Sequence, residues 1–321
     1  MNYQLIITLG PASDQPRIWQ ELIEAGTTAF RLNTSHLTLD GLRAWLDRLA
    51  PYLGDLPLVL DLQGSKWRLG EFAVCDLAVG QRVELVLAQA SERAGVLPVP
   101  HADFFKAALF SSSELVLNDA RLRLEIESVG GESILARVTQ GGRIMEKKGI
   151  TYTASDFRVE TFSLKDQTII KETRQFPNVR FAVSYVRDAA EMQNYRKRLG
   201  ADAYLIAKLE RGPALAQTGL IAQAANELWL CRGDLGAELG IGAMAAAVFG
   251  FSGGVRQLPV PVMMAGQVLE YMSGQPVPTR SEVCYLYDTL RAGYQGVVLS
   301  DETAIGRHPV EACRAAAMFR E

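Results

Sequence analysis

The sequence predicts an α/β fold: a (β/α)8 (TIM) barrel with an inserted all-β cap domain. Short apolar runs rich in β-branched residues alternate with longer segments of helical period, which is typical of a parallel sheet built from βα units. Eight such runs can be counted, and this number favours a closed barrel over an open doubly wound sheet. After the third run the pattern changes to alternating, Val-rich pieces punctuated by glycine, which predicts an inserted β domain.

The elements follow in chain order. Barrel strands are predicted at residues 3–8, 28–32, 58–61, 179–184, 203–208, 228–231, 260–264 and 296–300. Two intervening helices have readable starts, 14–25 after Ser13 and 280–292 after Thr279, where Thr279 and Glu282 form a T-x-x-E capping box. Insert strands are predicted at 81–87, 122–127 and 133–138. The predicted domains are therefore 1–68 (first part of the barrel), 69–162 (the insert) and 163–321 (second part of the barrel).

Composition narrows the class of protein. A chain of 321 residues with 48% hydrophobic content can bury the core of one large domain plus an insert. With a formal net charge of -3, the protein has no excess of positive charge to attract the phosphate backbone of a nucleic acid. We therefore expect no nucleic-acid partner. The cysteines at 75, 231, 284 and 313 form no CxxC pair, which argues against a zinc site and a disulfide framework. With no transmembrane-length segment and no signal-peptide pattern, we expect a cytoplasmic protein without a membrane partner.

Polar residues cluster toward the carboxyl ends of six predicted strands. In a barrel of this kind these strand ends face the active site. The residues are Arg31, Asn33, Ser35, Asp61, Ser184, Lys208, Glu210, Arg232, Asp234, Ser300 and Glu302. The sequence therefore predicts one functional rim.

Glu210 and Asp234 end neighbouring strands and could share one hard cation through their oxygens. Taken alone, these acids could equally be ion-pair partners of Arg211 and Arg232. Lys208 favours the shared cation site. It lies two residues before Glu210, and side chains two residues apart on an extended chain project to the same side. Together these residues predict a site for an anion whose charge grows during reaction.

The run RGDLG at 232–236 leads from a strand into a segment, 237–248, that reads as helical. It is either a plain glycine turn or a helix start whose backbone N–H groups hold a carboxylate or phosphate. Because Asp234 lies within it, we favour the second interpretation.

Taken together, these motifs resemble the pyruvate kinase family over nearly the whole chain. The matching segments are TLGPAS at 8–13, RLNTSH at 31–36, IAKLE at 206–210, RGDLG at 232–236, PTRSE at 278–282 and LSDETA at 299–304. Within the insert, LND at 117–119 (ending at Asp119) and residues 143–150 with Lys148 and Gly149 look like the family's B domain.

The resemblance implies transfer of the phosphoryl group of phosphoenolpyruvate to ADP, leaving an enolate that is protonated to pyruvate. It implies that Glu210 and Asp234 hold Mg²⁺ (or Mn²⁺), that Lys208 stabilises the transferring phosphoryl group and that Arg31 grips the substrate phosphate. Such a reaction depends mainly on positioning and positive charge. The implied substrate-binding residues are Gly233, Asp234, Ser184 and Gly266, and those toward the nucleotide are Arg68, His36 and Lys165.

A monovalent-cation pocket is also implied, at Asn33, Ser35 and Asp61. In the segment 61–66, Lys66 stands where potassium-dependent members carry glutamate. In the family a lysine there accompanies potassium independence, because its ammonium replaces the charge of the ion. We therefore expect K⁺ to be dispensable.

The chain departs from the family pattern at several positions. Gly266 replaces the threonine of the A-T-Q-x-L-E motif, which removes a hydroxyl near the substrate carboxylate. Gln63, Ser65 and Ile305 replace residues of the nucleotide side, including two lysines. The sequence given ends at Glu321, just after the last barrel helix, so we predict a short form without the family's C-terminal domain and its effector site.

Three functions follow, in order of preference. The first is a pyruvate kinase-like phosphotransferase acting on phosphoenolpyruvate and ADP. The second is a Mg²⁺-dependent lyase, decarboxylase or tautomerase acting on a 2-oxo acid such as oxaloacetate through a metal-chelated enolate, which needs no nucleotide. The third is a non-catalytic sensor of phosphoenolpyruvate or a nucleotide. The oligomeric state is left open, with a homo-oligomer among the outcomes.

Overall fold

In the described part of the chain, sixteen strands build a closed parallel barrel and a separate β insert. The computed structural model describes residues 1–64, 66–118, 121–153 and 163–321. In chain order the strands are β1 (Gln4–Leu9), β2 (Ala29–Asn33), β3 (Leu58–Leu62), β4 (Cys75–Leu77), β5 (Arg82–Val86), β6 (Val96–Pro98), β7 (Glu114–Leu117), β8 (Leu122–Val129), β9 (Ser133–Gln140), β10 (Gly142–Ile144), β11 (Ile150–Tyr152), β12 (Val179–Val183), β13 (Tyr204–Leu209), β14 (Glu227–Cys231), β15 (Val262–Ala265) and β16 (Gly296–Leu299).

The barrel consists of β1 to β3 and β12 to β16, each parallel to its neighbours, with β16 closing onto β1. These are the eight strands that the sequence predicts, with ends shifted by at most two residues. The predicted barrel is therefore confirmed.

Helices pack around the barrel, and the described part of the insert contains one α-helix. They are α1 (Pro16–Glu24), α2 (Leu39–Leu53), α3 (Ala102–Ala107), α4 (Leu164–Thr173), α5 (Ala189–Leu199), α6 (Gly212–Ala216), α7 (Thr218–Ala222), α8 (Arg232–Leu239), α9 (Ile241–Ser252), α10 (Arg280–Ala292), α11 (Asp301–Ala304) and α12 (Pro309–Ala316). Short 3-10 helices lie at Pro11–Ser13, Thr34–His36, Ala108–Phe110, Val255–Gln257 and Glu270–Ser273. No helix in these described ranges is long and apolar enough to cross a bilayer.

Two helix predictions need comment. The predicted helix 280–292 is α10, and its capping box between Thr279 and Glu282 is present. The predicted helical segment 237–248 is helical but divided between two helices, because α8 ends and α9 begins at Gly240. The φ of Gly240 is 80°, a left-handed conformation that a right-handed helix cannot pass through.

Alternation along each barrel strand separates two apolar cores. On β14, Trp229 points into the barrel, whereas Leu228 and Leu230 pack outward against the helices. On β13 the inward residue is Ile206, so Lys208, two residues on, also faces the barrel axis at its carboxyl end. The same period places Asp61 at this end, two residues after the inward-facing Val59.

The insert leaves the barrel after β3 and has its own core. Its six-stranded sheet has the order β11-β7-β8-β9-β5-β6, and β4 pairs with β10. The core centres on Trp67, Phe104 and Tyr152, whose rings lie 5.0 to 5.7 Å apart. The expected all-β insert also contains the short helix α3, which supplies Phe104.

The predicted domain limits remain predictions. The insert core already includes Trp67, two residues before the predicted start at 69. The predicted end at 162 lies outside the described residues, as does Ser65.

Candidate active site

A cavity of about 400 Å³ opens at the carboxyl end of the barrel, beneath the insert. The predicted site residues that line it are Arg31, Asn33, His36, Lys66, Arg68, Ser184, Lys208, Glu210, Gly233, Asp234 and Gly266. The insert adds Arg121, Lys148 and Gly149. Lysines and arginines outnumber carboxylates along its wall, so the cavity suits a ligand with several negative charges.

Lys208 lies at the centre of the buried polar network. Its Nζ is 3.0 Å from Asp61 Oδ2, 3.1 Å from Glu210 Oε1 and 2.9 Å from Ser184 Oγ. Burial alone would lower the pKa of Lys208, but the carboxylates of Asp61 and Glu210 raise it above its ordinary value. The ammonium therefore stays charged, and Lys208 is suited to electrostatic stabilisation rather than to proton transfer.

Arg31 is fixed by contacts on three sides. Its Nε donates to Asp61 Oδ2 at 2.8 Å and its Nη1 to Thr8 Oγ1 at 2.8 Å. Its guanidinium lies 5.8 Å from the ring centroid of Trp229. A guanidinium held in this way is already oriented toward the cavity before a ligand arrives.

Asp61 already has two cationic partners. Its oxygens accept hydrogen bonds from Arg31, Lys208 and Ser184. Burial raises the pKa of Asp61, but Lys208 and Arg31 together outweigh this and bring it down to about 2. The carboxylate therefore stays ionised and balanced by protein cations throughout the neutral range.

The other residues of the predicted monovalent-cation pocket lie beside Asp61 at the end of β2. Asn33 lines the cavity, and its Oδ1 accepts the backbone N–H of Ser35 at 3.2 Å. Lys66, expected to substitute for the ion here, contacts Asp234 with its Nζ at 2.5 Å from Oδ1. The replacement of the ion by this ammonium stays a prediction.

Glu210 and Asp234, the two predicted metal ligands, face the same cavity. Glu210 Oε2 accepts the backbone N–H of Tyr185 at 2.7 Å, and its Oε1 faces Lys208. Asp234 Oδ2 accepts no hydrogen bond from the described part of the chain. Two hard oxygen donors therefore lie at one site, and one of them has an open coordination position.

The alternative that these acids simply pair with the adjacent arginines is not what the structure shows. Arg211 Nε lies 3.2 Å from Glu238 Oε2. Arg232 Nε and Nη2 donate to the carbonyl oxygen of Gly266 at 3.0 and 2.6 Å. The two acids instead have the lysines 208 and 66 as partners.

Helix α8 begins directly at the cavity. Cys231 is its N-cap residue and makes no side-chain capping bond, so the first N–H groups, including those of Gly233 and Asp234, are uncapped by that side chain. Across from them, Gly266 has a φ of 83°. A Cβ on Gly266 would lie 3.2 Å from Gly233 N, so this backbone requires glycine where the family motif has threonine.

Cations surround the side expected to face the nucleotide. His36 lies at the rim in a partly enclosed position, and its pKa is lowered to about 4 by burial and then by the charges of Arg68, Lys148 and Arg31. Arg68 Nη1 donates to Lys147 O at 2.9 Å. His36 is therefore neutral near pH 7 and can donate or accept a hydrogen bond.

Lys165 is not brought to the cavity. Its Nζ donates to the backbone oxygens of Thr34 and Leu37, both at 2.6 Å. It thereby anchors the 3-10 helix that carries His36. Asp119, the last residue of the LND segment that resembles the family's B domain, lies outside the described residues.

Glu302, predicted at the rim, is fully buried behind it. Its two oxygens accept the backbone N–H groups of Leu269 and Ser300 at 3.0 and 2.7 Å. It therefore ties two loops together and does not face the ligand.

Sequence reasoning missed three residues that support the site. Asp166 is fully buried and accepts the backbone N–H groups of Gln63 and Gly64, both at 3.1 Å. Tyr185 supplies the N–H that holds Glu210, and Trp229 forms the floor beneath Arg31. The motif S-x-x-D at 163–166 signals a helix cap, but nothing in the sequence indicates a partner about one hundred residues away.

Comparison with known proteins gives one consistent result. A family model described as pyruvate kinase, barrel domain, matches residues 1–313. A pyruvate kinase of Methylorubrum extorquens is 31% identical over 316 residues, covering 96% of this chain and 66% of that protein. Pyruvate kinase II of Salmonella typhimurium is 31% identical over 329 residues, covering 98% of this chain and 68% of that protein.

A solved structure supports the same fold. The crystal structure of a pyruvate kinase from Cryptosporidium parvum has a TM-score of 0.84 to this chain and 22% sequence identity. The match covers 98% of this chain and 68% of that one. The chain thus spans about two thirds of the length of the relatives it matches.

Proposed function

Because the chain belongs to the pyruvate kinase family, we propose that it transfers the phosphoryl group of phosphoenolpyruvate to ADP, giving pyruvate and ATP. One observation carries this proposal: Lys208, Glu210, Arg31 and Asp234 face a single cationic cavity at the barrel rim. A trianionic substrate and a nucleoside diphosphate both require such a surplus of positive charge.

Arg31 and Lys208 would act on the phosphoryl group. Both are held by Asp61, so their charges are fixed in place before the substrate binds. Charge that is oriented in advance lowers the barrier more than charge that must reorganise during the reaction. Since Lys208 remains protonated, its contribution is a constant positive charge near the transferring oxygens.

The carboxylate of the substrate would bind at the start of α8. The N–H groups of Gly233 and Asp234 point from a helix N-terminus, where the backbone favours an anion. Ser184, whose hydroxyl donates to Asp61 and accepts from Lys208, keeps the ammonium in position beside this group. Gly266 has no side chain, so its backbone can approach the helix start closely.

Glu210 and Asp234 fit a divalent cation, Mg²⁺ or Mn²⁺. Among the described residues no group of three or more His, Cys, Asp or Glu side chains could hold a metal. Two carboxylates are enough for Mg²⁺, which commonly takes its remaining oxygens from substrate and water. Held by these two residues, a divalent cation would supply positive charge and Lewis-acid polarisation at the substrate.

The nucleotide would bind between barrel and insert. Gln63 and Ile305 replace two lysines of the family pattern, but Arg68, Lys148 and Arg121 line the same cavity. These three cations support ADP as the acceptor, in preference to a decarboxylase or tautomerase that needs no nucleotide. The latter remains the second candidate because of the two lost lysines.

K⁺ would be dispensable for this reaction. Asp61, which the family uses beside its monovalent cation, is balanced here by Arg31 and Lys208, and Lys66 adds a further charge at Asp234. The carboxylates of Asp61 and Asp234 therefore each have a protein cation as a partner already. We expect the enzyme to work in the cytoplasm on these small molecules.

A second copy of this chain is a further expected partner. Helix α9 carries no charged residue and exposes Ile241 (77%) and Phe249 (84%). Apolar surface of this kind often contacts another protein. Sedimentation of the purified protein would give its oligomeric state.

The test is a coupled assay with phosphoenolpyruvate, ADP and Mg²⁺. We expect pyruvate to form with the wild-type protein and Lys208→Met to lower kcat at least about 1,000-fold, since one central charge is lost. Lys197→Met, on the exposed face of α5, is the matched control and should behave like the wild type. Oxaloacetate decarboxylation without ADP-dependent turnover would instead support the second candidate.

A further inference from the structure

A second cavity, of about 460 Å³, lies at the opposite, amino-terminal end of the barrel. Its wall is formed by the first residues of β12 and β13 and by the chain that follows α4 and α5. Its size is in the range of ordinary small-molecule sites. This cavity is separate from the one at the barrel rim, because the inward-facing Trp229 and its neighbours fill the barrel between the two ends.

Arg180, at the start of β12, is the central polar residue of this cavity. Its guanidinium stacks on the Tyr204 ring at 4.1 Å, and its side chain is 21% exposed. No N–H of this side chain has a hydrogen-bond partner among the described residues, and Nη1 is buried. The buried Nη1 is thus held in place without an acceptor, which is costly for its donors.

The nearby acid does not satisfy Arg180. Glu227 Oε2 lies 3.7 Å from Arg180 Nη1, too far for a hydrogen bond. The Glu227 oxygens instead accept from Tyr204 OH at 2.9 Å and from Trp229 Nε1 at 2.6 Å. Burial also raises the pKa of Glu227, so its carboxyl group is more easily protonated.

The rest of the wall combines one more cation, one acid and apolar surface. Arg174 and Asp202 are exposed at the mouth. Phe176, 37% exposed, and Leu199 form apolar walls. A ligand that matches this pattern has one planar anionic group for the guanidinium and an apolar body.

We propose that this cavity binds a small monocarboxylate with an apolar body, whose carboxylate pairs with Arg180 and whose body lies against Phe176 and Leu199. The planar guanidinium matches a carboxylate in a two-point pair. Stacking on Tyr204 fixes the plane in which that pair forms. The single acid at the mouth opposes ligands of higher negative charge.

Titration calorimetry with benzoate as the probe tests this site. The protein is first saturated with Mg²⁺ and oxalate, so that the cationic cavity at the other end is blocked. We expect one benzoate per chain, with Arg180→Gln weakening binding at least about tenfold, the loss of one charge-assisted pair. Arg180→Lys keeps the charge without the planar fork and should bind with intermediate affinity.

Two further variants keep the test decisive should Arg180→Gln fold poorly. Phe176→Ala should weaken benzoate several-fold and leave acetate, which lacks the apolar body, unchanged. Asp202→Asn removes the acid at the mouth and should tighten benzoate binding at low salt. Circular dichroism of each variant verifies the fold.

The proposal is overturned if benzoate binds Arg180→Gln as it binds the wild type, or if Mg²⁺ and oxalate abolish the benzoate heat. Tighter binding of inorganic phosphate than of benzoate would also overturn it, since that result indicates a phosphate site. None of these outcomes depends on the catalytic activity of the protein.

Discussion

At the scale of single residues, the site works because its charges compensate each other before any ligand binds. Asp61 holds both Arg31 and Lys208, and Glu210 holds Lys208 from the other side. These contacts join residues from three strands that are remote in sequence. Their positions at strand ends could be predicted from the sequence, whereas their pairing could not.

Lys66 illustrates that limit. The motif alone predicts a lysine that replaces a monovalent cation, but the ammonium reaches Asp234, 168 residues along the chain. Pairing over such a separation depends on how the chain that follows β3 packs against the barrel, and no local sequence pattern encodes that packing.

The first residue-scale prediction concerns potassium. Since Asp61 and Asp234 already have protein cations as partners, turnover should change little when KCl replaces a matched sodium or tetramethylammonium salt. Lys66→Glu would place a second carboxylate beside Asp234 and should create a dependence on K⁺. Steady-state rates in the three salts check this, and strong activation of the wild type by KCl would refute it.

The second residue-scale prediction concerns Glu191, a buried acid on α5 outside the site. Its Oε1 has no hydrogen-bond partner in the described part of the chain, and burial raises its pKa to about 7. Between pH 4.5 and 7 the folded chain therefore holds a proton that the unfolded chain has released. Stability from this group is full below that window and is lost as pH rises through it.

Glu191→Gln should accordingly be more stable than the wild type at pH 8, by roughly 1 to 3 kcal/mol. The advantage should shrink as pH falls toward 5. Urea unfolding of both proteins at pH 5 and pH 8 measures it. An advantage that is the same at both pH values would show that the carboxyl is not responsible.

At the scale of elements, strands were more predictable than helices. Short apolar runs identify all eight barrel strands, because a strand in a closed barrel contacts apolar surface on both sides. The division of 232–252 into α8 and α9 was missed, since the apolar run continues through Gly240 and only its φ of 80° ends the helix. Helix α3 was missed because six residues are too few for a helical period to show.

The capping box of α10 gives an element-scale prediction. Thr279 Oγ1 accepts the N–H of Glu282, and Glu282 in return accepts the N–H groups of Thr279 and Tyr271. Thr279→Ala should cost about 1 kcal/mol of unfolding free energy. Ser281→Ala, in the exposed first turn, is the control and should change stability by less than about 0.5 kcal/mol.

Urea unfolding of the two variants gives the comparison. Equal stabilities would show that the cap contributes nothing measurable in this fold. The catalytic constants of both variants should match the wild type, because neither side chain lines the cavity.

At the scale of the whole molecule, two cores meet at one cavity. The barrel supplies Lys208, Glu210 and Arg31, and the insert supplies Arg121 and Lys148. Arg121 also lies 3.8 Å from Glu270 of the barrel, a contact that spans the cavity. The sequence predicted the insert and its place over the barrel mouth, but it gave no reason to select Arg121.

Arg121→Gln therefore tests the role of the insert. We expect KM for ADP to rise about three- to tenfold, the equivalent of ~1 kcal/mol, because a partly exposed cation is lost beside the nucleotide. KM for phosphoenolpyruvate should change less. Arg143→Gln, exposed on β10 of the insert, is the matched control, and equal KM values for ADP in both variants would contradict the proposed role.

The central claim is that Glu210 and Asp234 share one divalent cation beside Lys208. Mn²⁺ binding, followed through the electron paramagnetic resonance of the free ion, tests it most directly in the wild type and in Glu210→Gln, Asp234→Asn and the double variant. We expect one Mn²⁺ per wild-type chain, at least about tenfold weaker binding in each single variant and loss of this binding site in the double variant, as for two ligands of one ion. Wild-type affinity in either single variant, or retention of one tightly bound Mn²⁺ in the double variant, would contradict the claim.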